Sequence, residues 1–146
     1  MQNQQWSERI RWPWWLMLLV VGLDFSIIIA IWASLGNTAA LIATLMTLIF
    51  TIYLFAISTL NISVDSGYLR VGRANIEKQY LGKIEVLTRE EFDYLCRAGI
   101  NPSAFHALRF WVKRGVKIEI SDPRDPTPYW LVSSRRPEQF AAELER

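Results

Sequence analysis

Hydrophobic and polar positions follow two different regimes along the chain. From Trp14 to Leu35, and again from Ala39 to Leu60, residues are apolar with few breaks, chiefly Gly22, Asp24 and small or hydroxyl side chains. Each run has about 22 residues. At about 1.5 Å rise per residue that is roughly 33 Å of helix, enough for a hydrocarbon core of about 30 Å. Gly36-Asn37 leaves room only for a tight turn, so the pattern predicts a helical hairpin.

After Leu60 the period shortens to two. Asn61–Val64 and Tyr68–Val71 alternate around Asp65-Ser66-Gly67, a β-hairpin signal. Further strands are predicted around Ala74–Ile76, at Lys83–Leu87 with Ile84 and Val86 inward, at Ala107–Val112, at Val116–Ile120 and at Tyr129–Ser133. Thr88-Arg89-Glu90-Glu91 reads as a capping box, in which hydroxyl and carboxylate each satisfy a free amide at a helix start. Phe92, Leu95 and Cys96 then share a face, and Gly99 ends that helix. Pro137 opens a terminal helix with Phe140, Ala141 and Leu144 inward. Seven strands and a closing helix predict an α+β protein whose small antiparallel β domain is a pleckstrin-homology-like barrel with a C-terminal capping helix. An open sheet covered by both helices fits the pattern almost as well, but closure removes exposed edges. The expected organisation is a cytoplasmic segment 1–12, a transmembrane hairpin 13–60 (spans 14–35 and 39–60) and a cytoplasmic β-rich domain 61–146.

Composition sharpens this division. The 146 residues are 51% hydrophobic, yet between Pro13 and Leu60 the sole charged side chain is Asp24. That segregation excludes one ordinary globular domain, and residues 61–146 are too few to wrap two wholly apolar helices. A cleaved signal peptide is excluded by the length of the first run, the lack of a small-x-small site and the second run. The aromatic share of 13% excludes a disordered chain. Arg9 and Arg11 precede the first span, and Arg70, Arg73, Lys78 and Lys83 follow the second, while the turn is uncharged. Basic residues stay on the cytoplasmic side, so both termini are expected there. Trp6, Trp12, Trp14 and Trp15 cluster at the same boundary, where an indole buries its body and keeps its N–H wet.

Two features of the first span compete for meaning. A carboxylate at mid-membrane needs a partner or a proton. At the depth of Asp24 the second span offers Thr44, Thr47 and Thr51, a polar stripe spaced three and four apart. The expected arrangement is Asp24, carrying its proton, donating a hydrogen bond to that stripe and so locking the hairpin. A carboxyl facing another chain and a proton relay are the alternatives, and the relay lacks further ionisable groups in series. Gly22, Ser26, Ala30 and Ser34 form a small-residue ridge on roughly the opposite face, a surface that lets a second helix approach closely.

The segment Asp122-Pro-Arg-Asp-Pro-Thr-Pro-Tyr-Trp-Leu-Val-Ser-Ser-Arg-Arg-Pro137 is the strongest candidate interaction motif. Prolines, among them Pro126 and Pro128, stiffen it. Asp122 and Asp125 suit Asx turns, Tyr129 and Trp130 offer a large anchor, and Arg135 and Arg136 follow. A rigid corner feeding the last helix is its plainer reading. Together with Glu8-Arg9, Pro13-Trp14-Trp15, Leu69-Arg-Val-Gly72 and Arg109-Phe-Trp111, this motif resembles the actinobacterial two-helix membrane proteins grouped as a domain of unknown function. Members often carry an acidic residue in the first span, which Asp24 matches. The resemblance implies a Gram-positive plasma membrane protein and supplies no activity, cofactor or catalytic residue.

Catalytic signatures are few. Gly67 and Gly72 bracket a strand and do not enter a helix, so no phosphate loop is indicated. Glu90, Glu91 and Asp93 suit the favourable field of a helix start. Cys96, the single cysteine, reads as a core residue, and His106, the single histidine, as a satisfied edge or core group. No metal site and no cofactor are expected. Basic and acidic residues nearly balance over 61–146, which argues against a lipid-clamping or a nucleic-acid surface. The expected function is a non-catalytic, membrane-anchored binding module or accessory subunit. Its expected partners are the lipid bilayer and another membrane protein or a second copy of itself. An anionic-headgroup module is the alternative, and an unrecognised enzyme a weaker one.

Overall fold

The computed structural model describes residues 4–146. Contacts divide the chain into two units. Residues 11–59 form a helical unit, and the N-terminal strand with residues 60–146 forms a sheet unit.

In the helical unit, α1 runs Trp14–Leu35 and α2 Asn37–Ser58, each 22 residues long. Pro13 holds an extended conformation, and its carbonyl accepts the amides of Leu16 and Met17. Gly36 makes the turn at φ +81°, a left-handed value open to glycine without steric cost. Trp32 Nε1 donates to Asn37 Oδ1 across that turn at 2.7 Å. No residue of either helix is buried, and both are long and apolar enough to cross a membrane. The second helix was expected to reach Leu60. It stops at Ser58 because Thr59 turns extended, its hydroxyl donating to the Phe55 carbonyl. Leu60 instead starts a strand and is buried.

The sheet unit contains two four-stranded sheets. Strands β1 (Gln4–Ile10), β2 (Leu60–Asp65), β3 (Tyr68–Val71) and β4 (Ala74–Glu77) form the first, antiparallel and in that order. Strands β5 (Leu81–Leu87), β6 (Phe105–Ala107), β7 (Gly115–Ile120) and β8 (Tyr129–Ser133) form the second, in the order β5-β7-β8-β6. Here β6 runs parallel to β8, the remaining pairs antiparallel. Helices α3 (Arg89–Cys96) and α4 (Pro137–Leu144) complete the unit. The capping box forms as read: Thr88 Oγ1 accepts the Glu91 amide and Glu91 Oε2 accepts the Thr88 amide.

Alternation puts the inner residues of both sheets into one core. Ile10, Ile62, Val64, Leu69 and Val71 meet Val116, Ile118, Trp130 and Val132, with Phe140 and Leu144 of α4 closing it. Strand β8 is buried on both faces: Trp130 and Val132 join that core, while Tyr129 and Leu131 pack with Leu87, Phe92 and Ala104. Gly115 lies where a Cβ would strike the Val132 carbonyl and the Phe92 ring, so β7 can pass there only without a side chain.

Three expectations change. The pleckstrin-homology-like barrel is not confirmed, because neither sheet closes on itself. The strand expected over Ala107–Val112 is confined to Phe105–Ala107. Beyond it the Arg109 amide donates to Ser133 Oγ and the Val112 amide to the Arg109 carbonyl, which bends the chain out of the ladder. Val86 is exposed and does not face inward.

Candidate functional site

Strand β1 reaches the far end of the sequence through one carboxylate. Trp6, Glu8 and Ile10 share a face of β1, and alternation turns that face inward. Glu8 is only 6% exposed. Its Oε2 accepts the Ser134 hydroxyl at 2.6 Å and its Oε1 accepts the Arg135 amide at 2.9 Å. Ser134 Oγ in turn accepts the Arg136 amide at 3.0 Å. A buried carboxylate is tolerable because charge-assisted bonds replace its water. This clasp joins two of the sequence stretches that carried the family resemblance, and the pattern of residues had not indicated it. Trp6, expected at a membrane boundary, instead stacks on Phe140 of α4, with ring centroids 5.1 Å apart and planes 13° apart. The Arg136 guanidinium lies over the Trp6 ring, 5.9 Å from its centroid. Arg9 Nε donates to Asn61 Oδ1 on β2.

The proline-rich loop before β8 walls a cleft of about 310 Å³, together with Tyr68, Asn75, Glu77 and Tyr80. Both expected Asx turns form. Asp122 Oδ1 accepts the Arg124 amide at 2.9 Å, and Asp125 Oδ1 accepts the Thr127 amide at 2.9 Å. The Arg124 guanidinium also grips Asp122 at 3.3 Å and donates to the Tyr80 hydroxyl at 3.2 Å. The Arg124 backbone amide, then its guanidinium, hold the Asp122 carboxyl below the usual range. Pro126 and Pro128 are exposed on the loop. Tyr129 and Trp130, read as a surface anchor, are core residues: Trp130 packs on Phe105 at 4.8 Å, and Lys117 Nζ lies 5.2 Å from the Tyr129 ring. Arg135 and Arg136 are exposed at the opposite end of β8.

In the helical unit Asp24 meets the threonine stripe as an acceptor and not as the expected donor: Thr51 Oγ1 donates to Asp24 Oδ2 at 2.8 Å. Thr47 lies on the same partly shielded face of α2, but its hydroxyl bonds to the Thr44 carbonyl, and that of Thr44 to the Ala40 carbonyl. Gly22, Ser26, Ala30 and Ser34 are exposed, and Gly22 has nothing near it that a Cβ would meet. Trp12 packs edge-on against Phe55 at 5.7 Å, while Trp14 and Trp15 are exposed and Arg11 is exposed beside them.

Burial pushes the Cys96 thiol up, away from thiolate chemistry. Burial likewise lowers the Arg109 guanidinium. His106 Nε2 is buried without a hydrogen-bond partner, so it is not the satisfied group expected. Among the described residues no three His, Cys, Asp or Glu side chains come together as a metal site would require.

The architecture is that of an α+β chain with two bilayer-length apolar helices inserted between the first two strands of a folded sheet unit. The chain belongs to the family described as protein of unknown function (DUF3093), which it matches over residues 5–144. No curated protein and no solved structure matches it.

Proposed function

We propose that the chain is a non-catalytic, membrane-anchored binding module, an accessory subunit of a larger membrane assembly. The observation that carries this reading is the fixed polar cleft beside the Asp122–Pro128 loop. Two Asx turns and the Arg124–Asp122–Tyr80 contacts hold donors and acceptors in place without assembling an acid, a base and a nucleophile. Preset polar groups lose little freedom when a partner docks, which favours recognition. The helices hold the sheet unit at the plasma membrane, with both termini in the cytoplasm as the basic flanks suggest. The pleckstrin-homology-like comparison survives only as two sheets closed by a C-terminal helix.

The test uses the full chain carrying a photo-crosslinking side chain at Thr127, on the cleft-side loop. A discrete crosslinked membrane protein, lost when Arg124→Glu reverses the charge of the wall, supports the reading. A chain that runs alone in mild detergent and crosslinks to nothing overturns it. Protease protection of tags at both termini tests sidedness separately.

A further inference from the structure

We propose that the free edge of β4, where it borders the cleft beside the Asp122–Pro128 loop, takes up an extended basic segment of a partner protein as an added strand. This rests on the reading above and names the kind of polypeptide the cleft receives.

Strand β4 has one neighbour, β3, and ends the first sheet. The register decides which backbone groups it leaves over. The Lys78 amide donates to the Gly67 carbonyl, and Val71 faces Ala74 across the two-residue turn Gly72-Arg73. Hydrogen-bonded pairs alternate along an antiparallel ladder, so Ala74, Ile76 and Lys78 are the residues that bond to β3. Asn75 and Glu77 therefore turn their amides away from β3, and Asn75 its carbonyl as well. Among the described residues no backbone acceptor is bonded to either amide. A row of unpaired groups along a sheet edge is a template for another strand.

The cleft lies on that edge. Asn75, Ile76 and Glu77 line it in succession. Neighbouring side chains of a strand point to opposite faces, so a space that touches all three runs along the side of the strand. With β3 on one side, the space is on the other. The loop residues Asp122, Arg124 and Asp125 stand across it.

Charge selects the occupant. Asp122 is paired with Arg124 at 3.3 Å, and Arg124 is spent on Asp122 and Tyr80, so it braces the wall. Glu77 and Asp125 accept only neutral donors, the Gln79 side-chain amide and the Thr127 backbone amide. Among the described residues no cation pairs with either carboxylate. A strand entering here meets one such carboxylate on β4 and one on the loop, so lysine or arginine side chains suit it and acidic ones are repelled. Tyr68, also in the lining, adds an aromatic ring, a surface that attracts cations. Main-chain bonds give attachment and the charged walls give choice.

The probe is a fluorescein-labelled heptapeptide of alternating lysine and valine, titrated against the full chain in phosphatidylcholine nanodiscs with empty nanodiscs as the blank. Its anisotropy is expected to saturate, and that of the glutamate–valine counterpart to stay flat. Glu77→Gln combined with Asp125→Asn removes both charges, keeps both acceptor oxygens and is expected to weaken binding roughly tenfold. Asn75→Pro deletes an outward amide at a position where an edge strand tolerates proline, and should weaken it as much, while Asn75→Ala binds like the parent. Hydrogen exchange on the parent chain needs no variant: the peptide is expected to slow the Asn75 and Glu77 amides roughly tenfold and leave Ala74 and Ile76 unchanged. The proposal is overturned if the lysine peptide does not bind, if the glutamate peptide binds as tightly, or if those two amides stay unprotected. A Thr127 crosslink that survives Asn75→Pro removes the added strand and keeps the accessory-subunit reading. Peptide binding with no Thr127 crosslink to any protein keeps the edge site and removes that reading.

Discussion

The helical unit and the sheet unit handle polar groups in opposite ways. In the hairpin several hydroxyls turn back onto their own helix, Ser26 to the Gly22 carbonyl and Thr44 to that of Ala40, while the side-chain bonds seen between α1 and α2 are Trp32 to Asn37 at the turn and Thr51 to Asp24 at mid-span. In the sheet unit the buried polar side chains Glu8, Ser133 and Ser134 all reach residues far along the chain. Backbone satisfaction inside a helix is local and leaves the apolar surface uncommitted. A sheet unit must close its polar account over long separations, so its unique arrangement rests on a few non-local contacts. The contrast teaches that hairpin and sheets should respond differently to single substitutions.

The largest expected effect comes from Gly115→Ala, which sets a methyl against the Val132 carbonyl and Phe92. The sheet unit is expected to lose about 3 kcal/mol, read by near-UV circular dichroism melting, while helical signal from the hairpin persists. Joint melting of both signals would break the comparison. Glu8→Ala removes both acceptors of the clasp and is expected to cost about 2–3 kcal/mol in the same melt. Glu8→Gln keeps one acceptor and should cost less. Thr88→Ala removes a helix cap, about 1 kcal/mol on the sheet unit alone. Thr51→Val, which deletes the mid-span bond between the helices, is expected to cost only about 0.6 kcal/mol. Steric trapping of the hairpin in bicelles measures it, and a loss as large as that of Glu8→Ala would show that the hairpin is as tightly specified as the sheets.

The smallest expected effect is on acid stability. The Thr88 amide, and then its hydroxyl, hold the Glu91 carboxyl below its usual range. A lowered carboxyl contributes stability that is present above its unfolded value and lost as pH falls through the folded one. Melting of the sheet unit should therefore weaken slightly on acidification, and Glu91→Gln should flatten that part of the slope.

The hairpin was legible from composition alone, and α1 falls at Trp14–Leu35 as read, because uninterrupted apolar residues admit no other element. Its faces were less legible, since nearly every position is apolar and only the Asp24 and threonine spacing hinted at a seam. The strands β2, β3, β7 and β8 follow their alternation closely. Strand β1 escaped notice because a carboxylate occupies the middle of its inner face. The signal was present in Trp6, Glu8 and Ile10 at alternate positions, but Glu8 reads as outward until its partners at Ser134 and Arg135 are known. The parallel β6–β8 pairing was equally hidden, because three residues carry little period and the partner lies beyond β7. The motif Asp122–Pro137 was recognised as special, yet its aromatic pair proved to be core, since alternation on a doubly buried strand looks the same on both faces.

The ladder from Ile10–Leu60 to Gln4–Asp65 ties the order of synthesis to the order of assembly. A ribosome makes β1 first, then both long helices, and only afterwards the strand that β1 must join. Until β1 pairs with it, β2 has one bare edge, and Ser134 and Arg135 lack their acceptor. Protein released by cutting the chain after the hairpin would not be a liberated domain. It would be an unfinished one, short of an outer strand and prone to borrow another in its place.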